Sequence, residues 1–246
     1  MEISKCLSNK LSRYALEKDT LGESPATVYK VISPQDTLFL KYSRTIYEPT
    51  TYCVGRETEM IKWLNGKMNV PKIVFYEKYR GNHFMLITEL KGVMLEKCGF
   101  SPSDYIKFLV RVLKKIQSVD ITDCPFESDI AFRLREIKYM NENNLDDNDL
   151  DKELYKWLCE NKPKEELVFS HGDLSGSNIL INCNEIGYID LGKAGKADKW
   201  FDIAFCVMEI RYLFHEEKYV NEFFTSLGVE PDWDKINYFI LLDELL

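Results

Sequence analysis

The spacing of hydrophobic residues changes along the chain. Residues 37–42 alternate between apolar and polar positions as a strand does, and 71–76 and 84–88 form two further strand-like runs. Residues 4–16 have a loose helical spacing and predict an opening helix. Further along, helical spacing dominates, for example over 102–116, where apolar residues recur every three or four positions. The pattern therefore predicts a first part rich in strands and a second part that is mostly helical.

Helix starts in the second part are marked by capping residues. Ser101 followed by Pro102 is a typical N-cap and first-turn pair. Residues 132–140 and 203–214 also have helical spacing. Asp202 stands just before the last of these runs, so it either braces a neighbouring loop backbone or caps the helix.

A lysine and a glutamate are predicted to meet in the first part. Because side chains alternate along a strand, Phe39 and Lys41 are predicted to lie on one face and Leu38 and Leu40 on the other. The helical run 53–64 carries Glu57 on its apolar stripe. Because an unpaired buried carboxylate is costly, Glu57 needs a cation, and Lys41 is the candidate. From the residues alone, this pair is either part of a site or an ordinary salt bridge.

The most polar loop of the second part lies within residues 168–192. Asp173 and Asn178 stand between two apolar runs, and 179–181 and 186–189 predict a tight hairpin that ends at Asp190. Packed strands would hold these three side chains close together. Two carboxylates and an amide suit Mg²⁺, which takes few protein ligands. The alternative is a polar turn that contains Asp and Asn by chance.

Three further stretches leave alternatives open. Ser24 lies in the turn-rich stretch 20–31, which is either a phosphate-binding loop or a plain hairpin turn. Residues 141–153 contain six acidic side chains and one lysine, typical of a solvated loop or of a lid that attracts a polycation. The chain ends with three carboxylates close in sequence, those of Asp243, Glu244 and the C-terminal Leu246.

Composition narrows the class of protein. The 246 residues are 45% hydrophobic and 29% charged, and no apolar run approaches the ~20 residues of a membrane span. A net charge of −8 disfavours a nucleic-acid partner and weakly favours cationic ligands. Seven dispersed cysteines and an N-terminus without a secretory pattern predict a cytoplasmic protein without disulfides or zinc. No obligate protein partner is evident, and we expect no membrane association.

A family resemblance follows from the polar loop. The pattern H-x-D-x-x-x-x-N over 171–178, followed by I-D-x-G over 189–192, resembles the catalytic and metal segments of the protein-kinase-like fold. Gly172 and Leu191 replace the arginine and phenylalanine of protein kinases, and no A-P-E segment follows. With these differences from protein kinases, the chain is similar to the aminoglycoside 3'-phosphotransferases. The similarity also covers the stretches 24–30, 38–41, 167–178, 189–202 and 241–245.

The resemblance implies an α+β, bilobal protein-kinase-like fold. Residues 1–90 would form an N-lobe with a five-stranded antiparallel sheet and the nucleotide site. Residues 91–246 would form a mostly helical C-lobe with the catalytic loop, the metal site and the substrate pocket.

The resemblance also implies roles for individual residues. On the nucleotide side, Ser24 would touch phosphate, Phe39 would stack on adenine, Lys41 and Glu57 would position the phosphates, and the hinge backbone at Thr88 and Leu90 would bond the adenine edge. In the catalytic loop, Asp173 would face the substrate hydroxyl, while Asn178 and Asp190 would hold Mg²⁺. The residues implied on the substrate side are Asp173, Lys193, Asp243, Glu244 and Leu246.

The implied function is an ATP-dependent phosphotransferase that moves the γ-phosphate to a hydroxyl of an aminoglycoside antibiotic, with the 3'-hydroxyl expected, and so confers resistance. The alternatives are a kinase of another small alcohol, such as a sugar, choline or homoserine, and a nucleotide-binding scaffold without catalysis. The chain departs from the family at Lys193, where arginine is usual, and at Leu246, where an aromatic residue is familiar. Met208 and Tyr212 replace charged residues of the substrate side, and the acidic insert is short.

Overall fold

The protein comprises two compact units. The computed structural model describes residues 2–19, 24–145, 150–183 and 185–246. The first unit contains Met1–Lys91 and Gly187–Lys193, and the second contains Gly92–Ile186 and Ala194–Leu246. Parts of the stretches 20–31 and 141–153, including Asp146, Asp147 and Asp149 of the predicted acidic loop, lie outside the described residues.

A short segment late in the chain belongs to the first unit. The sequence placed all of 91–246 in one lobe, whereas the structure groups Gly187–Lys193 with the N-terminal residues. Hydrogen bonds explain the difference. The backbone N–H of Tyr188 donates to the Asn69 carbonyl at 3.0 Å, and Arg56 Nε donates to the Gly192 carbonyl at 3.1 Å. Such pairings depend on tertiary structure, and no local pattern in the sequence signals them.

The first unit is built on an antiparallel sheet. Its strands are β1 (Ala15–Lys18), β2 (Thr27–Ile32), β3 (Thr37–Arg44), β4 (Ile73–Tyr79) and β5 (Asn82–Thr88). They lie in the order β1-β2-β3-β5-β4, and every neighbouring pair is antiparallel. Helix α1 (Lys5–Leu11) precedes the sheet, and α2 (Val54–Leu64) lies between β3 and β4.

One face of this sheet packs against α1. Leu7 and Leu11 of the helix are buried with Leu38 and Leu40 of β3. Because side chains alternate along a strand, Phe39 and Lys41 are on the opposite face, as the sequence predicted. The predicted helix over 4–16 was wrong at its end, because α1 stops at Leu11 and residues 15 and 16 belong to the edge strand β1, which pairs with β2.

The second unit is mostly helical. Its helices are α3 (Pro102–Gln117), α4 (Ile130–Glu142), α5 (Lys152–Glu160), α6 (Lys199–Phe214), α7 (Glu217–Leu227) and α8 (Trp233–Asp243). Its short strands are β6 (Val93–Met94), β7 (Leu167–Ser170), β8 (Ile179–Asn182) and β10 (Gly195–Asp198), with β9 (Glu185–Tyr188) crossing the boundary to the first unit. β7 pairs with β10, and β8 lies between β6 and β9. None of the described helices has the length and apolar composition needed to cross a bilayer.

Buried carboxylates determine where α6 begins. The helix was predicted from residue 203 but starts at Lys199, because Asp198 caps it by accepting the Trp200 N–H at 2.8 Å. The other oxygen of Asp198 accepts the Glu166 N–H at 2.7 Å and the Lys235 ammonium at 2.8 Å. Asp198 is fully buried. It therefore connects the residues before β7 with the starts of α6 and α8.

Replacing Asp198 should destabilise the protein strongly. Asp198→Ala leaves the Lys235 ammonium, which is only 11% exposed, without its carboxylate. Removing one partner of a buried ion pair costs about 3–5 kcal/mol in the free energy of unfolding. Urea denaturation followed by circular dichroism would measure the loss. The exposed pair Lys62–Glu59 supplies the control, since Glu59→Ala should leave the denaturation midpoint almost unchanged. Equal midpoints for the two variants would contradict this role of Asp198.

Candidate active site

A buried lysine shared by two carboxylates forms the centre of the first unit's site. Lys41 Nζ on β3 donates to Glu57 Oε1 at 3.0 Å and to Oε2 at 3.3 Å, and it also bonds the carboxylate of Asp190. The side chains of Lys41 and Glu57 are largely buried, whereas that of Asp190 is 57% exposed. The predicted Lys41–Glu57 pair is therefore present, and Asp190 meets the same ammonium.

The charge balance of this cluster is negative. Burial alone lowers the pKa of Lys41, but the Asp190 and Glu57 carboxylates outweigh burial and raise the pKa well above its usual value. Burial raises the pKa of Glu57, and Asp190 adds to this while Lys41 opposes it. One ammonium thus faces two carboxylates, so these three groups together carry a net negative charge.

Backbone geometry presents Asp190 to the lysine. Asp190 has a φ of +60°, and it leads into the helical turn Leu191–Lys193. A Cβ at Gly192 would lie 2.8 Å from the Thr51 carbonyl oxygen, so only glycine allows this close approach. The turn is therefore held against the residues just before α2, which carries Glu57.

In the second unit, Asn178 orients Asp173. Asn178 Nδ2 donates to the backbone carbonyl of Asp173 at 2.9 Å and to its Oδ2 at 3.0 Å. Asn178 is buried and closes the turn Gly176–Asn178, while Asp173 is half-buried. Two bonds from one amide hold both the backbone and the carboxylate of Asp173. The structure therefore brings together Asp173 and Asn178, as predicted.

Asp202 braces the start of the same loop. Its Oδ2 accepts the His171 N–H at 2.9 Å and its Oδ1 accepts the Gly172 N–H at 3.0 Å. Asp202 is buried, and burial raises its pKa while the two N–H groups and His171 oppose that shift. Of the two predicted alternatives, bracing is confirmed, since Asp198 supplies the helix cap.

Sequence reasoning missed a second carboxylate that contacts this loop. Glu209 on α6 accepts the Gly176 N–H at 2.6 Å and the Tyr105 hydroxyl at 2.6 Å through the same oxygen. A signal was available, because Glu209 is an acidic residue in an otherwise apolar part of α6 and a largely buried carboxylate requires donors.

The remaining nucleotide-side candidates are in the first unit. Ser24 is exposed, and its hydroxyl accepts the Ala26 N–H at 3.2 Å. Phe39 is half-buried on β3 and is paired with Ile87. The Thr88 N–H donates to the Lys72 carbonyl at 3.0 Å, and the Thr88 hydroxyl accepts the Lys72 N–H at 3.0 Å. Leu90 follows β5 and is half-buried.

The substrate-side candidates divide between the units. In the first unit, the ammonium of Lys193 lies 6.0 Å from the centre of the Tyr52 ring. In the second unit, a turn after α8 keeps the C-terminal acidic residues together, since the Leu246 N–H donates to the Asp243 carbonyl at 3.0 Å and the Glu244 N–H to that of Ile240 at 3.2 Å. Asp151, from the predicted acidic loop, caps α5.

Comparisons with known proteins identify the family. The model of the phosphotransferase enzyme family, APH, matches residues 16–239. An aminoglycoside 3'-phosphotransferase of Enterococcus faecalis is 44% identical over 260 aligned residues, covering 100% of this chain and 98% of the relative. A second one, of Staphylococcus aureus, is 43% identical with the same coverage.

Solved structures confirm the predicted α+β, protein-kinase-like fold. A type VIII aminoglycoside-3'-phosphotransferase superposes with a TM-score of 0.77 at 23% identity, covering 98% of this chain and 97% of that one. An aminoglycoside phosphotransferase from Streptomyces rimosus superposes with a TM-score of 0.81 at 19% identity, covering 97% and 95%. The chain therefore belongs to the phosphotransferase enzyme family, alongside the aminoglycoside 3'-phosphotransferases that it resembles along its whole length.

Proposed function

We propose that this protein is an ATP-dependent kinase that transfers the γ-phosphate to a hydroxyl of an aminoglycoside, with the 3'-hydroxyl as the expected acceptor. The observation that carries the proposal is the buried Lys41 paired with Glu57 and Asp190. The full-length similarity to aminoglycoside 3'-phosphotransferases supports the choice of substrate. Phosphorylating the antibiotic would confer resistance on the cell.

Lys41 is proposed to bind the phosphates of the nucleotide. Its raised pKa keeps the ammonium charged at physiological pH, and Glu57 holds it in one orientation. A relative from Streptomyces rimosus has been solved with ADP and streptomycin, which supports nucleotide use in this fold. Ser24 would contact phosphate, Phe39 would stack on the adenine, and the backbone at Thr88 and Leu90 would bond its edge.

Asn178 and Asp190 are proposed as the protein ligands of Mg²⁺. The residues fit the ion, because a carboxylate and an amide are hard oxygen donors and the carboxylate of Asp190 is largely exposed within a cluster of negative charge. Mg²⁺ takes few protein ligands and completes its octahedron with water and phosphate oxygens, so two side chains are enough to hold it. Bound Mg²⁺ would offset the negative charge of the phosphates.

Asp173 is proposed to orient the acceptor hydroxyl and to take its proton late in the transfer. Phosphoryl transfer has a loose transition state, so positioning and charge neutralisation carry most of the catalysis. Asn178 directs the Asp173 carboxylate, and Asp202 fixes the backbone just before it. Asn178 and Asp202 together give the carboxylate of Asp173 one defined position.

The acceptor is proposed to be a polyammonium compound. The carboxylates of Asp243, Glu244 and Leu246 would bind amino groups, and Lys193 would contact substrate from the turn after Asp190. A net charge of −8 would also draw such a cation by long-range attraction, which salt weakens. All seven cysteines remain thiols, which with the need for ATP supports a cytoplasmic location.

A substrate panel tests the proposal. ADP release from the purified protein would be followed with ATP, magnesium and either kanamycin or neomycin, together with a matched analogue that lacks the 3'-hydroxyl. We expect turnover with the parent compounds and none with the deoxy analogue. Turnover only on sugars, choline or homoserine would replace the aminoglycoside assignment, and nucleotide binding without any turnover would favour a scaffold.

Removing the proton acceptor should abolish turnover without preventing binding. Asp173→Asn keeps the size of the side chain but removes the carboxylate, so we expect kcat to fall by about 10²–10⁴-fold. Both KM values should stay close to wild type, because the residue acts in the transition state. Steady-state kinetics on kanamycin and ATP would measure this. A fall in kcat of less than tenfold would rule out the assigned role.

Weakening the brace should lower stability as well as activity. In Asp202→Asn, one buried backbone N–H faces an amide that cannot accept it, and an unsatisfied buried donor costs about 1–3 kcal/mol. Urea denaturation would measure the loss, and kcat should fall because the loop before Asp173 loosens. The matched control is Asp129→Asn, which caps α4, since Asn caps helices as well as Asp. Equal stability of the two variants would show that Asp202 does not brace the loop.

A further inference from the structure

Glu209 joins the middle of the catalytic loop to a buried tyrosine. Its Oε1 accepts hydrogen bonds from the Gly176 N–H and the Tyr105 hydroxyl, each at 2.6 Å. Tyr105 lies on α3 and is 4% exposed. Two helices that are distant in sequence, α3 and α6, thus act on a single backbone N–H between Asp173 and Asn178.

Position 176 has no room for a side chain beside this pair. A Cβ at Gly176 would lie 2.3 Å from the Tyr105 hydroxyl, 2.8 Å from Glu209 Oε1 and 3.1 Å from the Glu96 backbone nitrogen. Any other residue would force these groups apart. The contact therefore fixes both the position and the identity of residue 176.

The position of Gly176 is passed on to Asp173 over a short distance. Gly176 opens the turn that ends at Asn178, and the Asn178 N–H donates to the Ser175 carbonyl at 3.1 Å. Asn178 in turn holds the carbonyl and carboxylate of Asp173. A shift of the Gly176 N–H therefore moves the amide that orients Asp173.

Burying the Glu209 carboxylate is costly. Its Oε2 is buried, and none of the described residues hydrogen-bonds it. Burial raises the pKa of Glu209, and the nearby carboxylates of Glu96 and Asp173 add to this, while the Tyr105 hydroxyl and the Gly176 N–H oppose it. Burial and Glu209 raise the pKa of Tyr105 as well, so its hydroxyl stays protonated as a donor.

We infer that Glu209 and Tyr105 are positioning residues that hold the loop from Asp173 to Asn178 in the geometry required for phosphoryl transfer. The inference rests on the proposed kinase function. Neither side chain needs to touch the substrate, because both act through Gly176. A displacement of about 1 Å at a reacting group can lower a rate by about 10²-fold. Loss of the bond between Glu209 and the Gly176 N–H should therefore have a measurable effect on turnover.

The test compares substitutions that remove or keep the acceptor. Glu209→Leu leaves two buried donors without a partner, and we expect kcat to fall by about 10–10²-fold while the KM values for ATP and kanamycin change little. Glu209→Gln keeps a carbonyl oxygen for both donors and should restore most of the rate. Tyr105→Phe keeps the bond to Gly176 and should have a smaller effect. A kcat for Glu209→Leu within twofold of wild type would overturn the inference.

The matched control is Glu222→Leu. Glu222 on α7 accepts the Ser103 hydroxyl of α3 at 2.9 Å, so it also links two helices of this unit through a hydroxyl–carboxylate bond. Among the described residues, no bond joins Glu222 to the catalytic loop. The kcat of Glu222→Leu should therefore match that of wild type. If Glu222→Leu lost as much kcat as Glu209→Leu, the effect would be one of general stability and the inference would fail.

Hydrogen exchange separates this inference from the proposed function. Exchange of the backbone amides of 174–178, measured by mass spectrometry without substrate, should be faster in Glu209→Leu than in wild type and near wild type in Glu209→Gln. Unchanged exchange in Glu209→Leu would overturn the positioning role. If Glu209→Leu did not fold, Tyr105→Phe would replace it in the same measurement. A smaller increase in exchange is expected for Tyr105→Phe, and unchanged exchange would overturn the positioning role. If the amides of 174–178 were protected in the wild-type protein but no aminoglycoside were turned over, the proposed function would be contradicted and the positioning role would not.

Discussion

The first unit depends on the burial of one ammonium group. Lys41 can leave water only if carboxylates take over from its hydration shell, and Glu57 and Asp190 supply them. The two bonds link β3, which carries Lys41, to α2, which carries Glu57, and to Asp190, which precedes the turn at Leu191–Lys193. The side chain least compatible with a protein interior is therefore the point at which these three elements meet.

The second unit uses carboxylates in a different way. Asp202 and Glu209 accept backbone N–H groups of the loop 171–178, and Asp198 accepts those of Glu166, just before β7, and Trp200, in the first turn of α6. A loop has few internal hydrogen bonds, so its backbone donors must find partners elsewhere. Charged acceptors make stronger bonds than carbonyl groups, and they come from helix α6 and the strand before it. The loop thereby gains the rigidity of the helices beneath it.

Much of the fold could be predicted because its signals are local. Period two in β3 and the apolar stripe of α2 were sufficient to place Lys41 and Glu57 opposite each other, and the loop pattern identified Asp173 and Asn178. The errors arose where partners distant in sequence decide. Residues 15 and 16, predicted to be helical, belong to strand β1 because they pair with β2, and α6 begins earlier because Asp198 is fixed by Glu166 and Lys235.

Glu209 was missed for the same reason, since its donors are 33 and 104 residues away. An acidic residue among apolar ones indicates that a hydrogen-bond donor lies nearby, but it does not identify that donor. For the terminal acidic residues and Ser24, the structure describes local turns and caps, and their roles towards ligands rest on the family resemblance.

The grouping of Gly187–Lys193 with the N-terminal residues has a consequence for how this gene can be divided. The covalent chain passes between the units after Lys91, after Ile186 and after Lys193, so neither unit corresponds to one uninterrupted stretch of coding sequence. A fragment that stops at residue 91 would retain Lys41 and Glu57 but lack Asp190, the second carboxylate that bonds the Lys41 ammonium. A chimera that takes the first unit from one homologue would therefore need both its residues 1–91 and its seven-residue segment Gly187–Lys193. Exchanging only one of the two would combine parts of this unit from different proteins.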